Sequence, residues 1–163
     1  LTAVDKLPDY QFVIAAAPSQ PLDFYKSLIG ARDIKVIPDE TYSLLSASEA
    51  ALVTSGTATL ETALLNIPEV VCYKGGAVSY HIAKRIVDIK YISLVNLIMD
   101  KEVVKELIQD DLNEQTIFIE LKKILSPEHR INLLADYAEL RKKLGGSGAS
   151  AKAAKIIQDF MNN

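Results

Sequence analysis

Short apolar runs alternate with amphipathic segments along the first hundred residues. The apolar runs predict buried strands at 12–16, 34–37, 50–54, 69–73 and 91–95. The segments between them predict helices at 21–30, 42–47, 57–66 and 79–88. Strands that are apolar almost throughout are typical of a parallel sheet, which is buried on both faces. We therefore predict an α/β fold with a Rossmann-like parallel sheet and helices on both of its faces.

The pattern becomes helical from Lys101 onward. Asn113 is a suitable cap for a helix that runs to Leu125, and Pro127 is suited to begin another. A glycine-rich break at 145–148 precedes a last helix with one apolar stripe. The stripe consists of Ala153, Ile156, Ile157, Phe160 and Met161. We expect a Rossmann-like core at 1–110, and C-terminal helices at 111–163 that pack on the core or on a partner chain.

Composition excludes several kinds of protein. The net charge of −3 argues against broad binding of nucleic acid, so no nucleic-acid partner is expected. The single cysteine, Cys72, lies in an apolar run and is expected to be a buried hydrophobic residue. His81 and His129 are far apart and have no further ligand near them in sequence, so neither a metal nor a cofactor is expected. No apolar stretch approaches the length of a membrane span. Because the chain begins with Leu1 rather than Met, we expect a trimmed fragment.

The stretch from Thr54 to Glu61 is the candidate for chemistry, because it joins a buried strand to the start of a helix. Ligands of open parallel sheets bind at the carboxyl ends of strands, and a helix N-terminus offers free N–H groups to phosphate. Gly56 lets the backbone approach a ligand closely. The hydroxyls of Ser55, Thr57 and Thr59 are available for further hydrogen bonds to phosphate oxygens.

Glu61 lies one helical turn beyond Thr57 on the same face. A carboxylate there would repel phosphate, but it suits the paired hydroxyls of a ribose beside a diphosphate. Both interpretations of this stretch remain open at this point. A Ser-Gly-Thr turn into a helix is also a common cap, and a glutamate near a helix N-terminus also suits the helix dipole.

A wider set of motifs resembles a known family. The stretches are SGTATLETALL at 55–65, IP and VVCYK within 67–74, AKRIV at 83–87, YISLVNLI at 91–98 and EVVKELIQD at 102–110. The first is similar to the donor-binding signature of glycosyltransferases of the GT-B fold. Together, and in this order, they resemble the family of lipid-A-disaccharide synthases. The resemblance runs from about residue 10 to residue 109, with a looser match beyond.

The resemblance implies the binding of a UDP-sugar donor. It implies that UDP-2,3-diacylglucosamine is joined to a 2,3-diacylglucosamine 1-phosphate acceptor, with release of UDP, at the cytoplasmic face of the inner membrane. This chain matches the half of the fold that holds UDP. The implied nucleotide-sugar-binding residues are Ser55, Gly56, Thr57, Ala58, Thr59, Glu61, Lys74, Asn96 and Gln109.

Some features depart from the family. The half that would contain the catalytic base and bind the lipid acceptor is not matched, and neither is a Gly-Ser-Arg loop. No catalytic residue is therefore expected in this chain, and the fragment alone is expected to be inactive. Val95 replaces the usual proline before Asn96, and His81 replaces an aromatic residue.

Two other functions remain open. One is another GT-B enzyme, such as a UDP-N-acetylglucosamine epimerase or a different UDP-sugar transferase. The other is a non-catalytic nucleotide-sugar-binding module. The apolar stripe of the last helix also leads us to expect a homodimer formed through that helix. Separately, the resemblance implies peripheral contact with the inner membrane.

Overall fold

The computed structural model of the protein describes residues 1–75, 90–145 and 148–161. The strands are β1 (Val13–Ala16), β2 (Lys35–Pro38), β3 (Ala51–Thr54), β4 (Glu69–Tyr73) and β5 (Lys105–Ile108). The helices are α1 (Leu22–Ile29), α2 (Thr41–Ser46), α3 (Thr57–Leu64), α4 (Leu94–Met99), α5 (Glu114–Ile124), α6 (Pro127–Lys143) and α7 (Ala149–Met161). Short 3-10 helices lie at Val4–Lys6 and Gln109–Asp111. The helix predicted at 79–88, with His81 and the AKRIV motif, lies outside the described residues.

All strand pairs among the described residues are parallel, which confirms the predicted fold class. β1 pairs with β2, with Val13 opposite Lys35. β4 lies between β3 and β5, with Val70 opposite both Leu52 and Lys105. The described ladder is thus divided into a sheet of two strands and a sheet of three strands.

Helices cover both faces of the three-stranded sheet. Neighbouring residues of a strand point to opposite faces, so Val70 and Val71 enter different clusters of buried side chains. Val71 packs with residues of α3, α4 and α6, including Tyr137. Val70 packs on the other face with Leu7 from the N-terminal segment and with Leu121 of α5. The sheet therefore holds the core together from both sides.

Helix ends follow the expected local chemistry. The side chain of Asn113 accepts a hydrogen bond from the Thr116 N–H, and the hydroxyl of Thr116 in return accepts one from the Asn113 N–H. Ser126 caps α6, whose first residue is Pro127. The predicted starts of both helices are therefore confirmed. In contrast, every described residue of α7 is exposed, including its apolar stripe.

Two predictions about the middle of the chain are wrong. Residues 91–95 form no strand: they lead into α4, which begins at Leu94 after the cap Ser93. The region after Lys101 is not purely helical either, because Lys105–Ile108 is the edge strand β5. An edge strand pairs on one side only, which allows polar residues in it.

Glu69, the first residue of β4, is fully buried. Neither of its carboxylate oxygens has a hydrogen-bond partner among the described residues. A cavity of about 90 Å³ beside it is also lined by Glu120, Lys123 and His129. Burial raises the pKa of Glu69 from 4.5 to about 9, so the folded chain holds this carboxyl protonated at neutral pH.

Substitution of Glu69 by glutamine should change how stability depends on pH. The folded state binds this proton more tightly than the unfolded state does, so the stability that Glu69 contributes is lost as pH rises from 4.5 to about 9. We expect Glu69→Gln to gain stability relative to wild type over this range, by at most about 1.4 kcal/mol per pH unit. Urea unfolding at several pH values measures the difference. The exposed Glu102→Gln is the control. If, for both variants, the difference in unfolding free energy from the wild type stays the same at every pH, the prediction is contradicted.

Candidate functional site

The carboxyl ends of β3, β4 and β5 collect most of the predicted site residues at one edge of the sheet. Ser55 directly follows β3, Lys74 directly follows β4, and Gln109 directly follows β5. The amide nitrogen Nε2 of Gln109 donates a hydrogen bond of 3.2 Å to the carbonyl of Gly75. Parallel pairing therefore brings together residues that are up to 54 positions apart in the sequence.

The turn from β3 into α3 depends on Gly56. Its φ of 148° and ψ of −163° fall in a region that residues with a Cβ rarely adopt. Gly56, Thr57 and Ala58 are exposed, and no side chain that the structure describes caps the helix. The N–H groups of Thr57 and Ala58 have no partner among the described residues. This edge thus presents a helix N-terminus with free donors, as an anion site requires.

The three hydroxyls near the turn differ in what they contact. Thr57 is exposed at the start of α3. Thr59 is fully buried, and its hydroxyl donates a 2.8 Å hydrogen bond to the carbonyl of Gly56, which holds the turn from inside. The hydroxyl of Ser55 donates a 2.9 Å hydrogen bond to the carbonyl of Ile92. In this structure, therefore, the exposed Thr57 has the most accessible of the three hydroxyls.

Glu61 is half-buried on α3, and it lies near Tyr42 of α2. The phenol of Tyr42 lies beside its carboxylate, and the negative charge of Glu61 raises the pKa of Tyr42. Tyr42 is itself largely exposed. The pair is a carboxylate and a phenol accessible from solvent, a combination able to accept and donate hydrogen bonds to sugar hydroxyls.

The carboxylate of Glu106, on β5, binds the loop that precedes α4. Its Oε2 accepts a 2.9 Å hydrogen bond from the N–H of Ile92. Its Oε1 accepts hydrogen bonds from the N–H of Ser93 at 2.9 Å, from the Ser93 hydroxyl at 2.7 Å, and from Nδ2 of Asn96 at 2.9 Å. Four donors therefore converge on one carboxylate.

Asn96 is fully buried within α4. Its Nδ2 also donates to the carbonyl of Val104 at 2.8 Å. Its Oδ1 accepts from the N–H groups of Val103 and Val104, at 2.8 and 3.0 Å. Both ends of the carboxamide are thus used inside the protein. In this structure, Asn96 joins α4 to the start of β5 and does not offer its side chain to a ligand.

Gln109 and Lys74 occupy the remaining positions of the edge. Gln109 has a φ of 53°, which is uncommon for a residue of its size. Strain of this kind is found most often at functional sites. Lys74 is exposed immediately after β4 and brings a positive charge to the edge.

Sequence patterns alone do not single out three residues of this region: Tyr42, Ser93 and Glu106. Glu106 lies within a motif, but its local sequence predicts a helix. Tyr42 has no local signal at all, since only the fold brings it beside Glu61. Within the described ranges, no group of three or more His, Cys, Asp and Glu residues is arranged to hold a metal ion. Nor does this part of the chain contain a helix long and apolar enough to cross a membrane.

The architecture and the site together define a class. The described residues form a parallel α/β fold of the Rossmann-like type, with a glycine turn and a free helix N-terminus at the carboxyl edge of its sheet. A family model described as lipid-A-disaccharide synthetase matches residues 8–160. The chain therefore belongs to the lipid-A-disaccharide synthetase family.

Individual relatives agree with this assignment. The lipid-A-disaccharide synthase of Syntrophus aciditrophicus is 39% identical over 148 residues, covering 88% of this chain and 39% of the relative. Those of Geobacter sulfurreducens and Gloeothece citriformis are 32% and 36% identical, each over 96% of this chain and 42% of the relative. The chain thus spans about two fifths of the length of the relatives it matches.

Replacement of Asn96 by aspartate should destabilise the fold strongly. The change removes the donor to Val104 and puts a second carboxylate beside Glu106. We expect the free energy of unfolding to fall by about 2–4 kcal/mol, as for other losses in a buried network. Urea denaturation measures it. Asn113→Asp is the control, because aspartate caps a helix as well as asparagine does. Equal stabilities for the two variants would refute the structural role of Asn96.

Proposed function

We propose that this chain binds the UDP part of a nucleotide-sugar donor at the carboxyl edge of β3, β4 and β5. It would do so as part of a lipid-A-disaccharide synthase that joins UDP-2,3-diacylglucosamine to 2,3-diacylglucosamine 1-phosphate and releases UDP. The observation that carries the proposal is the Gly56 turn, which leaves the first N–H groups of α3 free at this edge. The family of the chain supports the identity of the ligand.

The diphosphate would lie against the start of α3. The N–H groups of Thr57 and Ala58 and the helix dipole provide positive potential there without a metal. The absence of a Cβ at Gly56 leaves room for an oxygen close to the backbone. Lys74, exposed at the end of the neighbouring strand, adds a cation within the same edge.

The ribose would contact Glu61. Its carboxylate lies one turn along α3 from the phosphate position, and the Tyr42 phenol beside it is a second polar group for the same hydroxyls. Gln109 extends the edge on the other side, where the sugar of the donor would lie. Asn96 would act indirectly, by holding α4 and the start of β5 in place.

The proposed chemistry is electrostatic. Glycosyl transfer breaks the anomeric bond and leaves negative charge on the departing UDP. Preorganised N–H donors at that charge stabilise the transition state more than the ground state. A general base that activates the acceptor hydroxyl would come from outside this chain, as would the lipid acceptor site. Because both substrates carry acyl chains, the enzyme would work at the cytoplasmic face of the inner membrane, as a peripheral protein.

Calorimetric titration of UDP into the protein tests the proposal. We expect binding, and we expect Glu61→Ala to weaken it at least about tenfold, since a lost hydrogen bond to a charged group is worth about 1.5–3 kcal/mol. Glu102→Ala is the control, because Glu102 is exposed and precedes β5 at the opposite edge of the sheet. Failure of the wild-type protein to bind UDP would contradict the proposal. If the protein binds UDP but shows no preference for a donor with an acylated sugar, the result would favour a different UDP-sugar enzyme.

We also propose that the protein forms a homodimer through α7. The support is the exposed apolar stripe, in which Phe160 is 83% and Met161 79% exposed. A stripe of this kind is stabilised when it is buried against another surface.

Light scattering over a range of concentrations tests the dimer. We expect a dimer for the wild-type protein and a monomer for Phe160→Glu, which puts a charge on the apolar stripe. Gln158→Glu adds the same charge away from the stripe and should leave the dimer intact. A wild-type monomer at every concentration would contradict the proposal.

A further inference from the structure

Glu106 and Ser55 are joined through a single residue of the loop before α4. The N–H of Ile92 donates to Glu106, while the carbonyl of Ile92 accepts from the Ser55 hydroxyl. The two hydrogen bonds measure 2.9 Å each. Ile92 is thus held from both sides, between the edge strand β5 and the glycine turn.

We propose that Glu106 is a positioning residue for the nucleotide-binding turn: it fixes Ile92 and Ser93, and through the Ile92 carbonyl it fixes Ser55 and the first N–H groups of α3. This inference rests on the proposed function, since it concerns the site at which UDP would bind. Glu106 itself does not touch the nucleotide.

Two separate structural connections between Glu106 and Ser55 support this role. β5 pairs with β4 and β4 pairs with β3, so Glu106 and Ser55 are already connected through the sheet. The route through Ile92 is a second connection between the same two points. With both in place, the turn is restrained before the ligand arrives, which lowers the entropy that binding must otherwise overcome.

The identity of residue 106 follows from what surrounds it. Among the described residues, all four hydrogen-bond partners of its carboxylate are donors. A carboxylate has only acceptor atoms and can satisfy all four. Glutamine has nearly the same shape, but its NH₂ group would oppose at least one of these donors. Glu106→Gln therefore disturbs the loop with little change in volume.

The same carboxylate also sets the start of α4. Ser93 is fully buried; its hydroxyl donates to Glu106 and accepts from the N–H of Asn96 at 3.3 Å. Ser93→Ala removes one of the four donors and lies away from the proposed phosphate position. It provides a milder disturbance of the same network.

Titration of UDP into the wild-type protein and five variants, one of them a control, tests the inference. We expect Glu106→Gln to bind UDP at least tenfold more weakly than the wild type and Ser93→Ala to bind more weakly by a smaller factor. Ser55→Ala should also bind more weakly. If the two residues act through one connection, the double variant Ser55→Ala/Glu106→Gln should lose less than the product of the two separate factors. The exposed Glu102→Gln, three residues before β5, is the matched control and should bind as the wild type does.

If Glu106 only stabilises the fold, its folded variants should bind UDP as the wild type does. The inference is overturned if Glu106→Gln folds and binds UDP within twofold of the wild type. It is also overturned if the loss of affinity in the double variant equals the product of the losses in the two single variants. If Glu106→Gln does not fold, Ser93→Ala decides, and unchanged binding by that variant is the contrary result.

A second measurement separates this inference from the proposed function. Without nucleotide, NMR resonances of the Thr57 and Ala58 amides should shift in Glu106→Gln and stay unchanged in Glu102→Gln. If the wild type does not bind UDP, the proposed function fails, while these resonances still report whether Glu106 positions the turn. Unshifted resonances overturn the positioning role.

Discussion

The carboxylate of Glu106 is the interaction on which this edge of the structure depends. It satisfies the N–H groups of Ile92 and Ser93, which would otherwise lack partners where the loop meets the sheet. It also holds the side chain of Asn96, whose other hydrogen bonds join α4 to the start of β5. Buried polar groups of this kind are stable only when every member has a partner. In this network the members satisfy one another, so loop, helix and edge strand form as a unit.

This unit determines how the candidate site is built. The sheet brings the ends of three strands together, and the loop supports the Gly56 turn from the side through Ser55. The turn then presents free N–H groups to solvent. The buried Thr59 stabilises the turn through the hydrogen bond from its hydroxyl to the Gly56 carbonyl. The N–H groups of Thr57 and Ala58, which would contact a phosphate, therefore lie on exposed residues, whereas Thr59, which holds the turn, is buried. Because the chain belongs to the lipid-A-disaccharide synthetase family, UDP is the proposed ligand to test at this site.

Local patterns were sufficient for much of the fold. The apolar runs of β1, β3 and β4, the glycine turn before α3 and the caps of α5 and α6 depend on neighbours in sequence, and they were predicted. The sequence of residues 91–95 does not predict the start of a helix, because Tyr, Ile and Val favour strands locally. Glu106, thirteen residues away, instead holds Ser93 as a helix cap. β5 was missed for the converse reason: its Lys, Glu and Leu favour a helix, and only pairing with β4 makes them a strand. For the site, the turn was evident from its residue types, whereas Tyr42 and Glu106 act through contacts between elements.

We propose above all that a nucleotide binds at the carboxyl edge of β3, β4 and β5. Following the backbone amide resonances of the protein while UDP is added tests this most directly. We expect the largest shifts at Ser55 to Glu61 and at Gln109, with little change at Glu69 or Glu102 on the opposite edge. Shifts centred on that opposite edge, or none at saturating UDP, would contradict it.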